Sequence, residues 1–164
     1  MEITMAAGIG QAVSLRDMEV GDMPRTRELL SHLGYILDAQ ELRSRFEAVK
    51  HSAGHLLIVA EEEGSIVAFC HVYARPALDK PPEAVVQALV VDQSRRGQGI
   101  GKRMMDHAEN WSAAHNFRSV ALASHVSRAT AHAFYEGLGY RCEATSHLFR
   151  KNFCLESTDV AMEG

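Results

Sequence analysis

The 164-residue sequence predicts an α/β domain with a mixed sheet and antiparallel hairpins on its flank. Two amphipathic helical stretches come first. Two long apolar, β-branched runs joined by a short polar turn follow, and after them strand and helix patterns alternate. The length suits one domain with a real core, which we place over residues 1–153. Residues 154–164 are polar and aperiodic and read as a flexible C-terminal tail.

The first strand candidate is Gln11–Leu15. Asp22 followed by Pro24 marks a helix start, Leu29, Leu30 and Leu33 form its apolar stripe, and Gly34 ends it. Asp38 with Glu41 has capping-box spacing, and Leu42, Phe46 and Val49 recur at helical intervals behind it. HLLIVA and SIVAFCHVYA are strands, with EEEG as the hairpin turn between them. The prolines make RPALDKPPE a loop before the buried strand Val85–Val91. Ile100, Met104, Ala108 and Trp111 give the next helix one apolar face, and Arg118–Ser124 returns to strand character. Ser127 caps a further helix with Ala131, Phe134, Tyr135 and Leu138 on its stripe, stopped by Gly139. YRCEAT and HLFRKNF read as a closing pair of strands.

Composition narrows the function classes. Hydrophobic residues make up 46% and charged residues 23%, both ordinary for a globular protein. A net charge of −4 gives no global field for nucleic acid or an anionic membrane, so neither is expected as a partner. Cys70, Cys142 and Cys154 are scattered and odd in number, which argues against a disulfide framework or a zinc site. Cys70 and Cys142 read as small core residues rather than acyl carriers, since no Cys–His context surrounds them. None of the nine histidines pairs at metal spacing with a third ligand, and no metal is expected. The N-terminus lacks a signal-peptide pattern, and no run approaches the roughly 20 apolar residues that span a bilayer. The expected location is cytoplasmic.

One stretch carries chemistry: SRRGQGIGKRMM, Ser94 to Met105, between a strand and a helix. The dinucleotide fingerprint fails, because Lys102 stands where its third glycine belongs. The nucleoside-triphosphate loop also fails, because Gly101-Lys102 is followed by Arg103 and Arg96 takes its earlier glycine position. Two readings of the turn then stand: a flexible connection with a solvated helix start, or an anion cradle. For the second, glycines admit a phosphate to the unpartnered first N–H groups of the helix, and Arg95, Arg96, Lys102 and Arg103 add positive charge.

The run Arg96-Gly97-Gln98-Gly99-Ile100-Gly101 resembles the Arg/Gln-x-x-Gly-x-Gly/Ala signature of the GNAT family of N-acetyltransferases. Ala131, Phe134-Tyr135 and Gly139-Tyr140 in ATAHAFYEGLGY resemble that family's second element, and one helix and one strand separate the two. The resemblance is strong over residues 85–150. It implies an α/β (α+β) fold with a mixed, mostly antiparallel central sheet flanked by about four helices. It further implies that the loop Arg96–Lys102 (Arg96, Gly97, Gln98, Gly99, Ile100, Gly101, Lys102) cradles the pyrophosphate of acetyl-CoA. The strand Leu89, Val90, Val91 would pair with the pantetheine arm where the sheet splays, and Arg128, Ala131 and Phe134 would complete the cofactor side.

The same resemblance assigns an oxyanion donor to a backbone N–H of Leu89–Val91 and the general acid to Tyr135. A phenol with a pKa near about 10 suits a thiolate leaving group. Two positions depart from the family pattern. Gln87 stands where many members have a glutamate; it can position water or substrate but cannot take a proton. Arg128 stands where an asparagine often opens the tyrosine-bearing helix. Base candidates elsewhere are Glu83, His71, His125 and His132.

The leading expectation is an N-acetyltransferase that moves an acetyl group directly from acetyl-CoA to a primary amine on a small molecule or peptide, within a ternary complex. The acidic chain favours a cationic acceptor such as a polyamine, an aminoglycoside-like amine or a lysine side chain, and homodimers are frequent in families of this kind. The rival is a non-catalytic acyl-CoA-binding or sensor module, which Gln87 keeps open. A generic nucleotide-phosphate binder is the third reading.

Overall fold

A computed structural model describes residues 13–153. They fall into two units, 13–125 and 126–153. In the first, β1 (Ser14–Asp17) leads through a 3₁₀ turn, Val20–Asp22, to α1 (Met23–Ser31) and α2 (Ala39–Lys50). The strands β2 (His55–Glu62), β3 (Ser65–Arg75) and β4 (Glu83–Val91) follow, then α3 (Ile100–Ala114) and β5 (Val120–Leu122). The sheet order is β1-β2-β3-β4-β5, antiparallel throughout except for the parallel β4–β5 pair. This matches the mixed, mostly antiparallel sheet that the sequence predicts. The first strand begins at Ser14, and Gln11, Cys154 and the tail lie outside the described residues.

Helix ends follow the sequence signals. Pro24 sits in the first turn of α1. The Asp38 carboxylate caps α2 by accepting from the Glu41 amide at 2.7 Å, while the Glu41 carboxylate engages Arg45 one turn on. Gly34 closes α1 with φ +89°, and the Tyr35 and Gly34 amides donate to the Leu30 and Ser31 carbonyls. Such a left-handed close is cheap for glycine because no Cβ meets the carbonyl before it. The β2–β3 turn is Glu63-Gly64, both at positive φ (51° and 77°), so EEEG makes a tight hairpin turn whose twist matches its strands.

The sheet is buried on both faces. On one, Val59, Phe69 and Val90 pack with Leu29, Leu30, Leu42 and Phe46 of α1 and α2, with Leu57 and Ala88 at the margin. On the other, α3 packs against β2, β3 and β4, and Ile58, Cys70, Val72, Met104, Met105 and Ala108 are buried. Burial pushes the Cys70 thiol up to about 12, which makes it a core residue without nucleophilic character. Among the described residues, no helix is long and apolar enough to cross a membrane.

The second unit contains α4 (Ala129–Gly137). Gly139, at φ +93°, stops it as expected: its amide donates to the Glu136 carbonyl at 2.9 Å, and that of Tyr140 donates to the Tyr135 carbonyl at 3.0 Å. The closing strands expected from YRCEAT and HLFRKNF are not formed. Residues 140–153 carry no regular structure, because a strand needs a ladder partner and β5, the last strand, pairs only with β4.

An anchor fixes the end of β4. The Asp92 carboxylate accepts from the Ser94 amide (2.8 Å) and hydroxyl (2.6 Å) and pairs with Arg25 of α1, whose Nε donates to the Ile66 carbonyl at 3.1 Å. The Ser94 bonds first, then Arg25, hold the Asp92 carboxyl down to about 2. A folded pKa below the unfolded value contributes stability above about pH 4 that is lost as pH falls toward 2. We therefore expect Asp92→Asn to cost about 1–2 kcal/mol near neutral pH. That penalty should fade between about pH 4 and 2, as urea titrations across a pH series would show.

Candidate active site

The site starts from the partners that β4 loses. In the β3–β4 register Val72 faces Val86 and His71 faces Ala88, which leaves Gln87 as the extra residue of a β-bulge. On its other side β4 pairs with β5 only at Ala84, Val85 and Val86. Beyond the bulge, the strand has one sheet neighbour among the described residues. The Asp92 amide donates to Val67 of β3 at 2.8 Å, so alternation turns Val90 toward β3 and Leu89 and Val91 away from it. The Leu89 and Val91 backbone groups therefore line an open edge. Of these, the Val91 carbonyl accepts from Arg96 Nε at 3.2 Å.

That edge runs into the glycine loop. Asp92 opens a short 3₁₀ turn, Gln93–Arg95, and the chain then passes Gly97 at φ +75° and Gly99 at φ +79° before α3 begins at Ile100. A Cβ at either glycine would meet nothing within 4 Å, so it is the left-handed backbone and not crowding that calls for glycine. Gly99 is the N-cap of α3 and brings no side chain to it; its carbonyl accepts the first helical bond, from the Arg103 amide at 3.1 Å. The amides of Ile100, Gly101 and Lys102 come before the first possible intrahelical acceptor, and they open at the positive end of a 15-residue helix. Ile100 is buried and pins this turn to the sheet. Gln98 is exposed at the loop's tip.

The loop cations are partly committed. Arg95 pairs with Glu62 of β2 at 2.5 Å, and Lys102 pairs with Asp106 one turn on at 2.7 Å. Arg103 is exposed. The remaining candidates belong to the second unit. Arg128 is the N-cap residue of α4, and Ala131, Phe134 and Tyr135 lie on that helix, with the Tyr135 ring 5.1 Å from that of Phe134 and 6.0 Å from that of Tyr140. The structure thus joins Leu89–Val91 to Arg96–Lys102 in one unit and carries Arg128, Ala131, Phe134 and Tyr135 on one helix of the other.

The base candidates separate. Glu83 is gripped by Arg75 and, at 2.8 Å, by Lys80, which together hold its carboxyl below the usual range; it is an ion-pair anchor at the start of β4. His125 ends the first unit and His132 lies on α4. His71 Nε2 lies 3.0 Å from His55 Nδ1, and Tyr73 stacks on His55 with ring centroids 5.9 Å apart. Burial, then the neighbouring His55, pushes the His71 imidazole down to about 4. Sequence reasoning did not associate His55 and Tyr73 with His71. The bulge at Ala60/Glu61 shifts the β2–β3 register by one residue and pairs His55 with Tyr73 rather than Val72.

Away from these residues, a groove of about 460 Å³ between the first 3₁₀ turn, α1 and α2 has an apolar floor that includes Val20, Met23, Pro24 and Leu42, with Arg27 and Arg43 at its sides.

Known proteins resemble this chain in sequence and in fold. The chain is 31% identical over 124 residues to an uncharacterized N-acetyltransferase, YhdJ, of Bacillus subtilis, covering 75% of this chain and 86% of that protein. A putative acetyltransferase from Agrobacterium tumefaciens superposes with a TM-score of 0.76 at 31% identity, over 84% of this chain and 99% of its own. The aminoglycoside N-acetyltransferase AAC(6')-Iy, solved in complex with CoA, has a TM-score of 0.81 at 17% identity, over 89% and 99% of the two chains, which is a likeness of fold. The model of the acetyltransferase (GNAT) family matches residues 16–140. The open edge of β4, its glycine-started helix and this match agree: the chain belongs to the acetyltransferase (GNAT) family.

Proposed function

We propose that the chain transfers an acetyl group from acetyl-CoA directly to a primary amine on a small molecule or peptide, within a ternary complex, and that residues 1–153 act as one acetyltransferase domain. The observation that carries this reading is the continuity of the open β4 edge with the capless start of α3. An amide-rich arm can add along Leu89 and Val91 as a strand would, while a pyrophosphate meets the Ile100, Gly101 and Lys102 amides. The loop residues Arg96, Gly97, Gln98 and Gly99 supply its shape, and Arg128, Ala131 and Phe134 complete the donor side. Bound acetyl-CoA supplies the activated thioester. The Leu89 N–H, turned to the open edge, is the donor for the developing oxyanion, and Tyr135 gives its phenolic proton to the departing sulfur.

Gln87 orients the amine or a water from the bulge, where its side chain is exposed. That residue also supports a second reading, a module that binds acyl-CoA without turning it over, because no carboxylate stands at the bulge. The likeness to the aminoglycoside enzyme is one of fold, so the acceptor is specified here only as a primary amine. The groove between α1 and α2 is the acceptor-side surface in this reading.

Thermal unfolding with acetyl-CoA, ATP and NADP at equal concentration tests the cradle. Acetyl-CoA alone should stabilise the fold, by about 2.7 kcal/mol at a hundred times its Kd. Equal stabilisation by all three would contradict the assignment. Gly99→Val should weaken acetyl-CoA binding by about tenfold or more, since a β-branched side chain strains the left-handed turn that exposes the amides. For catalysis, we expect Tyr135→Phe to retain the acetyl-CoA stabilisation while lowering kcat for thiol release by about 100-fold. Undiminished turnover in that variant would remove the acid role, and binding without turnover in the parent chain would favour the non-catalytic reading.

A further inference from the structure

The bulge on β4 has a counterpart on the neighbouring strands. Ala88 pairs with His71, and antiparallel partners share a face, so the His71 side chain lies on the face of Ala88, next in the chain to the Gln87 bulge and one strand in from the open edge. On the same face His55 pairs with Tyr73, and His55 Nδ1 stands 3.0 Å from His71 Nε2. Two imidazoles at that distance share one N–H and one lone pair, so both rings carry their proton at Nε2 or both carry it at Nδ1. We propose that His71 and His55 form a two-imidazole relay that takes the proton from the reacting amine, the task that Gln87 cannot perform. This inference rests on the acetyl-transfer reading.

The proton count closes. As the amine nitrogen bonds to the acyl carbon, its N–H proton passes to His71 Nδ1. The proton on His71 Nε2 moves to His55 Nδ1, and His55 Nε2 releases its own to water. The sulfur leaves with the electron pair of the broken C–S bond and takes its proton from Tyr135. Each imidazole ends neutral in the other tautomer, exchange with water resets the pair, and water returns a proton to the Tyr135 phenolate.

The surroundings suit a neutral relay. His71 is held neutral near physiological pH by burial and by His55, and the half-buried His55 is the exit of the relay. Tyr73 packs against both rings, 5.9 Å from that of His55 and 6.2 Å from that of His71. Several other charges on the packed elements have partners of their own. On β3, Arg75 pairs with Glu83. On α1, Arg25 pairs with Glu28 and Asp92. On α2, Glu41 holds Arg45, Glu47 faces His51, and Lys50 lies over the Phe46 ring, while Arg27 and Arg43 flank the groove on the helices.

The test uses the full chain with acetyl-CoA and three probe amines: spermidine, kanamycin and a short lysine peptide. Thiol release is followed across pH for the parent chain, His71→Gln and His55→Gln, beside the thermal shift with acetyl-CoA. The relay predicts an unchanged shift, kcat down by about 100-fold in His71→Gln and about tenfold in His55→Gln, and a kcat that climbs with hydroxide in the first variant. Nitrogen-15 spectra of the parent chain should show both rings carrying their proton at Nε2. Values of kcat within about twofold of the parent in His71→Gln, or rings that carry their proton at Nδ1, overturn the relay. A parent chain stabilised by acetyl-CoA but releasing thiol with none of the probes overturns it too and favours the non-catalytic module. A parent chain that acetyl-CoA does not stabilise overturns the acetyltransferase assignment, and the relay falls with it.

Discussion

The site depends on one constraint: β4 keeps β3 beside it along its length but loses β5 after Val86. Elsewhere in a sheet, an exposed edge invites aggregation or another chain. Here the open stretch is short, it is bounded at one end by the Gln87 bulge and at the other by the Asp92 anchor, and it faces the start of α3. The backbone groups of Leu89 and Val91 and the first amides of α3 thus form a continuous polar surface made by main chain alone. Side chains hold that surface in place: Ile100 in the core below the helix start, Arg25 on Asp92, and Arg95 on Glu62.

The chemistry is built differently on its two sides. In the proposed reaction the donor side is backbone geometry, set by the left-handed turns at Gly97 and Gly99. The proposed acceptor side depends on titratable side chains, and there Gln87 stands where the family resemblance implies a carboxylate. The bulge at Gln87 also sets Ala88 opposite His71, so the position proposed to orient the amine is followed by a residue that pairs with one ring of a half-buried imidazole pair. Glu83, the nearest carboxylate along β4, is committed to Arg75 and Lys80 and serves stability rather than proton transfer.

Local signals made much of this legible before the structure. Pro24, Asp38, Gly34 and Gly139 act at helix ends because caps and left-handed turns are decided by a few neighbouring residues. The EEEG turn and the glycine-rich start of α3 are likewise local. What escaped the sequence needs long-range register. The bulge at Ala60/Glu61 moves His55 from Val72 to Tyr73, which a count from the hairpin turn would place wrongly. The pairing of Arg25 with Asp92 spans 67 residues, and no periodicity announces it. The alternation in residues 140–153 suggested strands, but alternation records a face to bury and supplies no ladder partner.

The most direct measurement of the central claim is residue-resolved amide exchange with and without acetyl-CoA. If the open edge and the capless helix start hold the donor, the Leu89, Val91, Ile100, Gly101 and Lys102 amides gain protection together, while Val90, already turned to β3, changes little. Protection that is absent at these five amides, or that is spread evenly over the sheet, would contradict the account.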